Sequence, residues 1–279
     1  MDGQWGDEHS TKVSVFDHGL LYGDGVFEGT RAYNGKVFKL EEHIDRLYDS
    51  AKAIWLTIPM SKAEMAAATV EAVKRSGLKD AYLRHLVTRG FGDLGLDPRK
   101  CPRPSVIIIV DTITIWPRER YEAGLNVITA GTPIPHREAL SPRVKSLNYL
   151  PHILAKIEGV NAGADEVLML DSAGCVAEAS GMNLFVVKKG VLLTPPPADG
   201  ILKGVTRDVV MEIAVAAGHP VREMTLNRYD VYTADEAFFT GTAAEVAPIR
   251  TLDGRVIGEG KAGPITRDIA ARFQAYVRD

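Results

Sequence analysis

The apolar residues of this chain recur in two periods, and each change of period marks an element. From Glu41 onward, Ile44, Leu47, Tyr48, Ala51, Ile54 and Trp55 follow the three-to-four spacing of a helix with one buried face. A second helix is expected from Ser61, its cap, to Ser76, with Gly77 as its stop. Segment 13–40 instead mixes β-branched and aromatic residues with a glycine-rich run, "HGLLYGDGVFEGTRAYNGKVFKL", in which Asn34-Gly35 signals a hairpin. It reads as strands and tight turns. "AYLRHLVTR" at 81–89 and "SVIIIV" at 105–110 read as strands, the second as a buried one.

"IWPRERYEAG" lacks periodicity and carries Pro, Gly and charge, so 116–124 reads as a linker. It separates a small N-terminal domain, 1–115, from a larger C-terminal domain, 125–279, that would carry Lys145. In the second half the strands "VLML", "NLFVV" and "VLLTP" are broken by turns at Asp171–Gly174 and Lys189-Gly190. A helix from Thr206 to Ala217, the strand "AFFTG", a turn at Asp253-Gly254 and a last helix from Pro264 follow. An apolar helical pattern of Leu150, Ile153, Leu154 and Ile157 begins just beyond "SPRVKSLNYL". Strands and helices mix in both halves without the regular alternation of a dinucleotide-binding domain, so the fold class is α/β in the mixed, α+β sense.

Composition narrows the partners. With 279 residues, 46% hydrophobic and 25% charged, the chain has ordinary globular values, and two domains are the better expectation. Its 33 basic and 36 acidic residues are interspersed at a net charge of −3, which offers no footprint for nucleic acid or an anionic membrane. Cys101 and Cys175 form no Cys-x-x-Cys spacing, so neither a disulfide scaffold nor a thiolate metal site is expected. The polar amino terminus lacks the order of a secretory signal and no apolar run is long enough for a membrane span, so a cytoplasmic protein with small-molecule partners is expected.

Four features then bear on chemistry. Along 81–89, period-two alternation puts Tyr82, Arg84 and Thr88 on one side, and a phenol beside a guanidinium can receive a carboxylate. An exposed polar face is the simpler reading of that strand alone. "LKGVTRD" opens a helix whose free N–H groups near Val205 and Thr206 suit an anion, and "TGTAAE" offers Thr242 after a strand; each alone also fits a plain cap or turn. Glu178 in "CVAEASGMNLF" stands in apolar company, so it either faces water or holds a cationic partner, and water is the simpler choice. Lys145, finally, sits where an extended segment gives way to a helix. A lysine able to form an imine, an anion cradle, an acid for a ring nitrogen and a carboxylate receiver are together what pyridoxal phosphate chemistry on amino acids requires.

The chain resembles the branched-chain aminotransferase family of fold-type-IV pyridoxal-phosphate enzymes over essentially its whole length. The matching stretches run from "SVFDHGLLYGDGVFEGTRAYNG" through "EEHIDRLYDSAK", "YLRHLVTRG", "KSLNYL", "AEASGMNLF" and "LKGVTRD" to "TGTAAEVAPI". The resemblance implies two mixed domains with the cofactor site between them, and pyridoxal 5'-phosphate as cofactor without a metal. It makes Lys145 the catalytic, imine-forming lysine, Glu178 the acid at the ring nitrogen and Tyr149 the neighbour of the ring's phenolic oxygen. Arg46, Gly204, Val205, Thr206 and Thr242 become phosphate contacts. Periodicity alone would leave Arg46 solvated, since it lies off the apolar stripe.

On the substrate side the resemblance implies Tyr22, Phe27 and Gly29 as the wall for an aliphatic side chain. Tyr82, Arg84, Thr242 and Ala243 complete the substrate contacts. The implied activity is transamination between L-branched-chain amino acids and 2-oxoglutarate by a homodimer or higher homo-oligomer. A D-amino-acid aminotransferase, an aminodeoxychorismate lyase or an (R)-amine transaminase of the same fold are the alternatives, and a non-catalytic cofactor-binding protein is the alternative of another class.

Overall fold

The computed structural model describes residues 1–279, which divide into two compact units. The first comprises Met1–Ile113 together with Val144–Asn148, and the second Thr114–Arg143 with Tyr149–Asp279. No helix is long and apolar enough to cross a membrane.

The first unit contains α1 (His18–Tyr22), β1 (Gly25–Tyr33), β2 (Lys36–Val37), α2 (Leu40–Ala53), α3 (Lys62–Ser76), β3 (Ala81–Thr88) and β4 (Ser105–Asp111). Its antiparallel sheet has the order β2-β1-β3-β4. Asn34 and Gly35 both take the positive φ of a tight hairpin turn between β1 and β2. Ser61 and Glu64 close a capping box on α3, and Gly77 ends it in the left-handed conformation. Ile44, Leu47 and Ala51 of α2 and Met65 of α3 pack with Val26, Val87 and Val106 of the sheet. One face of the sheet is thus buried under helices, which explains the alternating burial of β3. The apolar run of β4 is an edge strand in which only Val106 is buried, not the buried strand expected. Likewise His18–Tyr22 is a short helix, capped by Asp17, where turns and strands were expected.

The second unit contains α4 (Arg118–Ala123), β5 (Leu125–Thr129), α5 (Leu150–Asn161), β6 (Glu166–Leu170), β7 (Val176–Ala179), β8 (Asn183–Lys188) and β9 (Val191–Thr194). It continues with α6 (Val205–Ala216), β10 (Val221–Glu223), α7 (Arg228–Tyr232), β11 (Glu236–Gly241), β12 (Glu245–Leu252), β13 (Arg255–Val256) and α8 (Pro264–Tyr276). Its sheet runs β10-β9-β8-β11-β12-β5-β6-β7, and β7 pairs again with β8, so six of the strands close into a ring. Leu125, Val127, Leu168, Leu184, Val186 and Phe239 belong to one core cluster of these strands. Lys189-Gly190 and Asp253-Gly254 repeat the positive-φ turn of the first unit's hairpin.

One expectation changes here. Residues 116–124 do not form a linker: Trp116 is buried in the second unit's core and Arg118–Ala123 is helical. The apolar stripe of α5 faces outward. Leu150 and Val160 are 63% and 65% exposed, with Ile153, Leu154 and Ile157 exposed beside them. The helix packs through small residues instead. Ala155 is fully buried, and a Cβ on Gly159 would meet Val167 Cγ1 at 2.7 Å, so a larger residue would push the helix off β6.

Candidate active site

Lys145 is held by main-chain hydrogen bonds to the edge of β1. Phe27 N–H donates to the Lys145 carbonyl at 2.9 Å and Leu147 N–H donates to the Gly25 carbonyl at 3.0 Å. Gly25 is required there because a Cβ would stand 2.7 Å from Leu147 Cδ1 and 2.6 Å from the Val87 carbonyl. Asn148 adds an amide donor to the Gly23 carbonyl at 2.9 Å. The lysine therefore clusters with the first unit, not with the larger C-terminal domain expected to carry it. Pairing between stretches far apart in the chain outweighs proximity along it, and periodicity carries no trace of such pairing.

That pairing collects several of the candidate residues on one face of the sheet. Phe27 and Gly29 alternate onto the same side of β1, and Gly29 lies opposite Arg84 of β3. The Lys145 Nζ lies 4.6 Å from the Phe27 ring centroid and the Arg84 guanidinium carbon 4.8 Å from it. Arg84 Nη2 donates to the Tyr82 hydroxyl at 3.1 Å, which leaves the phenol's own hydrogen for another acceptor. Gly29 leaves room for that phenol, since a Cβ would collide with its hydroxyl and lie 2.9 Å from Cζ. Tyr22 stands apart, exposed at the end of α1, with its hydroxyl donating to the Leu94 carbonyl at 2.6 Å.

The opposite face of β1 carries what sequence reading missed. Glu28 is buried and grips Arg46 of α2 with both oxygens: Arg46 Nε donates at 2.6 Å and Nη2 at 3.0 Å. His43 Nδ1 lies 2.9 Å from the same carboxylate. Burial alone would raise the Glu28 acid, but the Arg46 guanidinium and the His43 ring outweigh it and hold it well below the usual carboxylate range. Arg46 is thus not the solvated residue its place off the apolar stripe predicts; its side chain is 14% exposed. One helical turn further on, Ser50 Oγ accepts from the Lys145 backbone N–H at 3.1 Å. Period-two alternation along "VFEG" would have pointed Glu28 toward α2, the signal that could have found it.

In the second unit Glu178 is 6% exposed, so the water-facing reading fails. Its Oε2 accepts from the Asn183 amide at 3.1 Å and from the Leu202 N–H at 3.1 Å. Gly204 is the N-cap of α6 and supplies no side-chain cap, so the first N–H groups, on Val205 and Thr206, have no acceptor within the helix. Thr206 is buried, and Thr242 and Ala243 lie half-buried in the turn between β11 and β12. Because β8 pairs with β7 and β11, Asn183 sits beside both Glu178 and Thr240, two residues short of Thr242. Tyr149 stacks on His152 with centroids 4.5 Å apart. No cluster of His, Cys, Asp or Glu could hold a metal ion.

The family model described as amino-transferase class IV matches residues 25–252. The chain belongs to the class IV aminotransferases. A Methanocaldococcus jannaschii protein provisionally named a branched-chain-amino-acid aminotransferase is 52% identical over 274 residues, covering 98% of this chain and 94% of its own. The branched-chain-amino-acid aminotransferase of Pseudomonas aeruginosa is 40% identical over 281 residues, covering 97% of this chain and 88% of its own. Among solved structures, the branched-chain amino acid aminotransferase of Escherichia coli superimposes with a TM-score of 0.95 at 35% identity, covering 98% of this chain and 92% of its own. The likeness extends to the architecture: this class IV aminotransferase has the mixed helix-and-sheet, fold-type-IV arrangement of that structure. It is a transaminase.

Proposed function

We propose that this aminotransferase uses pyridoxal 5'-phosphate to move the amino group of L-leucine, L-isoleucine or L-valine to 2-oxoglutarate, giving a branched 2-oxo acid and L-glutamate. The observation that carries the reading is the convergence of Lys145 and Arg84 on Phe27, with the Tyr82 phenol over Gly29. A lysine for the proton at the α-carbon and a receiver for the carboxylate against one ring suit an α-amino acid. The apolar ring that both approach suits an aliphatic side chain.

The residues present fit the cofactor. A buried carboxylate held by two N–H donors stays an acceptor, as the protonated ring nitrogen needs, and the uncapped start of α6 suits the phosphate. In this reading Arg46, Gly204, Val205, Thr206 and Thr242 hold the phosphate, Tyr149 lies at the phenolic oxygen, and Glu178 holds a proton on the ring nitrogen. Pyridoxal phosphate, when bound, supplies an aldehyde carbon for imine formation and a ring that accepts the electrons released at the substrate's α-carbon. Lys145 takes the proton from that α-carbon and delivers it to the cofactor's aldehyde carbon. Arg84 and Tyr82 grip the substrate carboxylate, while Phe27, Gly29 and Tyr22 shape the side-chain pocket and Thr242 and Ala243 close it.

The test is spectroscopic. Apo-protein loaded with pyridoxal phosphate should lose its visible absorption band on addition of L-leucine alone and regain it with 2-oxoglutarate. If D-alanine drives the change and the three L-branched amino acids do not, the substrate assignment is wrong. We further propose a cytoplasmic homodimer or higher homo-oligomer, supported by the outward apolar stripe of α5; light scattering that finds a monomer refutes the assembly.

A further inference from the structure

We infer that Asn183 is a positioning residue whose single amide locks the ring-nitrogen acid, Glu178, to the start of α6, so that acid and anion cradle are set as one rigid piece. The inference rests on the proposed cofactor function and adds to it a residue to which that function assigns neither the ring nor the phosphate.

The geometry is specific. Both Asn183 amide hydrogens are committed: Nδ2 donates to Glu178 Oε2 at 3.1 Å and to the Leu202 carbonyl at 2.9 Å. Both partners are acceptors only, so the amide can sit just one way round. Leu202 closes the loop, its own N–H donating to the same Glu178 oxygen at 3.1 Å. The remaining atom, Asn183 Oδ1, packs on Gly204, where a Cβ would collide with it and lie 3.2 Å from Cγ. Gly204 has φ −72°, which any residue can adopt, so glycine stands there for lack of space beside Asn183 and not for backbone freedom. Asn183 is itself buried and anchored in β8 between β7 and β11. A side chain that only filled space would need neither the two matched acceptors nor the missing Cβ.

The experiment uses apo-protein titrated with pyridoxal 5'-phosphate, followed by the visible band of the bound chromophore and its pH midpoint. Asn183→Ala should weaken uptake by about tenfold or more, the scale of a lost hydrogen bond to a charged group, and should shift the midpoint. Gly204→Ala should also weaken uptake. In the double variant the collision is gone, so its loss should be no greater than that of Asn183→Ala alone. Circular dichroism confirms folding, and Asn183→Ser carries the same comparison if the alanine variant does not fold. Uptake and midpoint of the Asn183 variant indistinguishable from those of a binding-competent wild type overturn the inference. So do losses that multiply in the double variant. Wild-type protein that takes up no pyridoxal phosphate overturns the proposed function itself.

Discussion

Gly29→Ala separates the site's chemistry from the fold's stability. A Cβ at position 29 would collide with the Tyr82 hydroxyl and lie 2.9 Å from Cζ and 3.3 Å from Cε2. The obstructing atoms are the far end of a side chain on a partly exposed face of β3, so the ring can swing away without moving the sheet. What is lost is the Arg84-to-Tyr82 hydrogen bond of 3.1 Å and, with it, the aim of the phenolic hydrogen. One hydrogen bond to a carboxylate contributes about 1.5–3 kcal/mol, so KM for the amino acid should rise roughly tenfold to a hundredfold. Thermal unfolding, by contrast, should stay within about 2 °C, since no buried contact is lost. Steady-state kinetics with L-leucine and 2-oxoglutarate, alongside scanning calorimetry, give both numbers. In a Tyr82→Ala background the added methyl should cost nothing further. An unchanged KM, or a large fall in melting temperature with binding intact, refutes the reasoning.

Other outcomes follow from the same contacts. Lys145→Ala should abolish transamination while leaving measurable cofactor binding; retained turnover in a coupled glutamate assay removes the lysine from its central role. Glu28→Ala strands Arg46 and His43 without their shared carboxylate and should lower stability by about 3–5 kcal/mol in urea unfolding; a change under 1 kcal/mol, about the worth of an exposed pair, would contradict the clamp. His85 should make the protein acid-sensitive. Thr69 Oγ1 donates to the Met65 carbonyl, so it accepts from His85 Nε2 at 2.9 Å, and Nδ1 is buried without a partner. Burial pushes this imidazole down from 6.5 to about 4. The folded form therefore refuses a proton that the unfolded chain takes up. The resulting stability is fully present above pH 6.5 and falls away toward pH 4, by an amount on the order of 3 kcal/mol. His85→Leu should flatten that part of the profile, as melting curves at about pH 7 and about pH 4.5 would show.

Local chemistry was well marked in the chain. Ser61 and Gly77 bound α3 because capping and left-handed termination depend on neighbouring residues alone. The Asn34-Gly35, Lys189-Gly190 and Asp253-Gly254 turns follow for the same reason. Alternation along 81–89 put Tyr82 and Arg84 on one side correctly. Burial was harder to read. Glu178 read as solvated because its partners, an amide five residues on and a backbone N–H twenty-four residues on, belong to another strand and a loop. Leu150, Ile153, Leu154 and Ile157 mark the helix by their apolar pattern, yet the helix turns Ala155 and Gly159 inward, because close approach to β6 selects for small size rather than hydrophobicity.

The sequence by itself therefore settled the five long helices, the turns, the family and most of the candidate residues, since each rests on contiguous residues or on ordered short stretches. Tertiary structure alone decided which of them meet. It put Lys145 on the edge of β1, set Arg84 and the lysine against one phenyl ring, buried Glu28 beneath Arg46, and wedged Asn183 between an acid and a helix start. Those meetings are pairings between segments distant along the chain, fixed by strand register and by close packing, and neither leaves a period in the order of the residues.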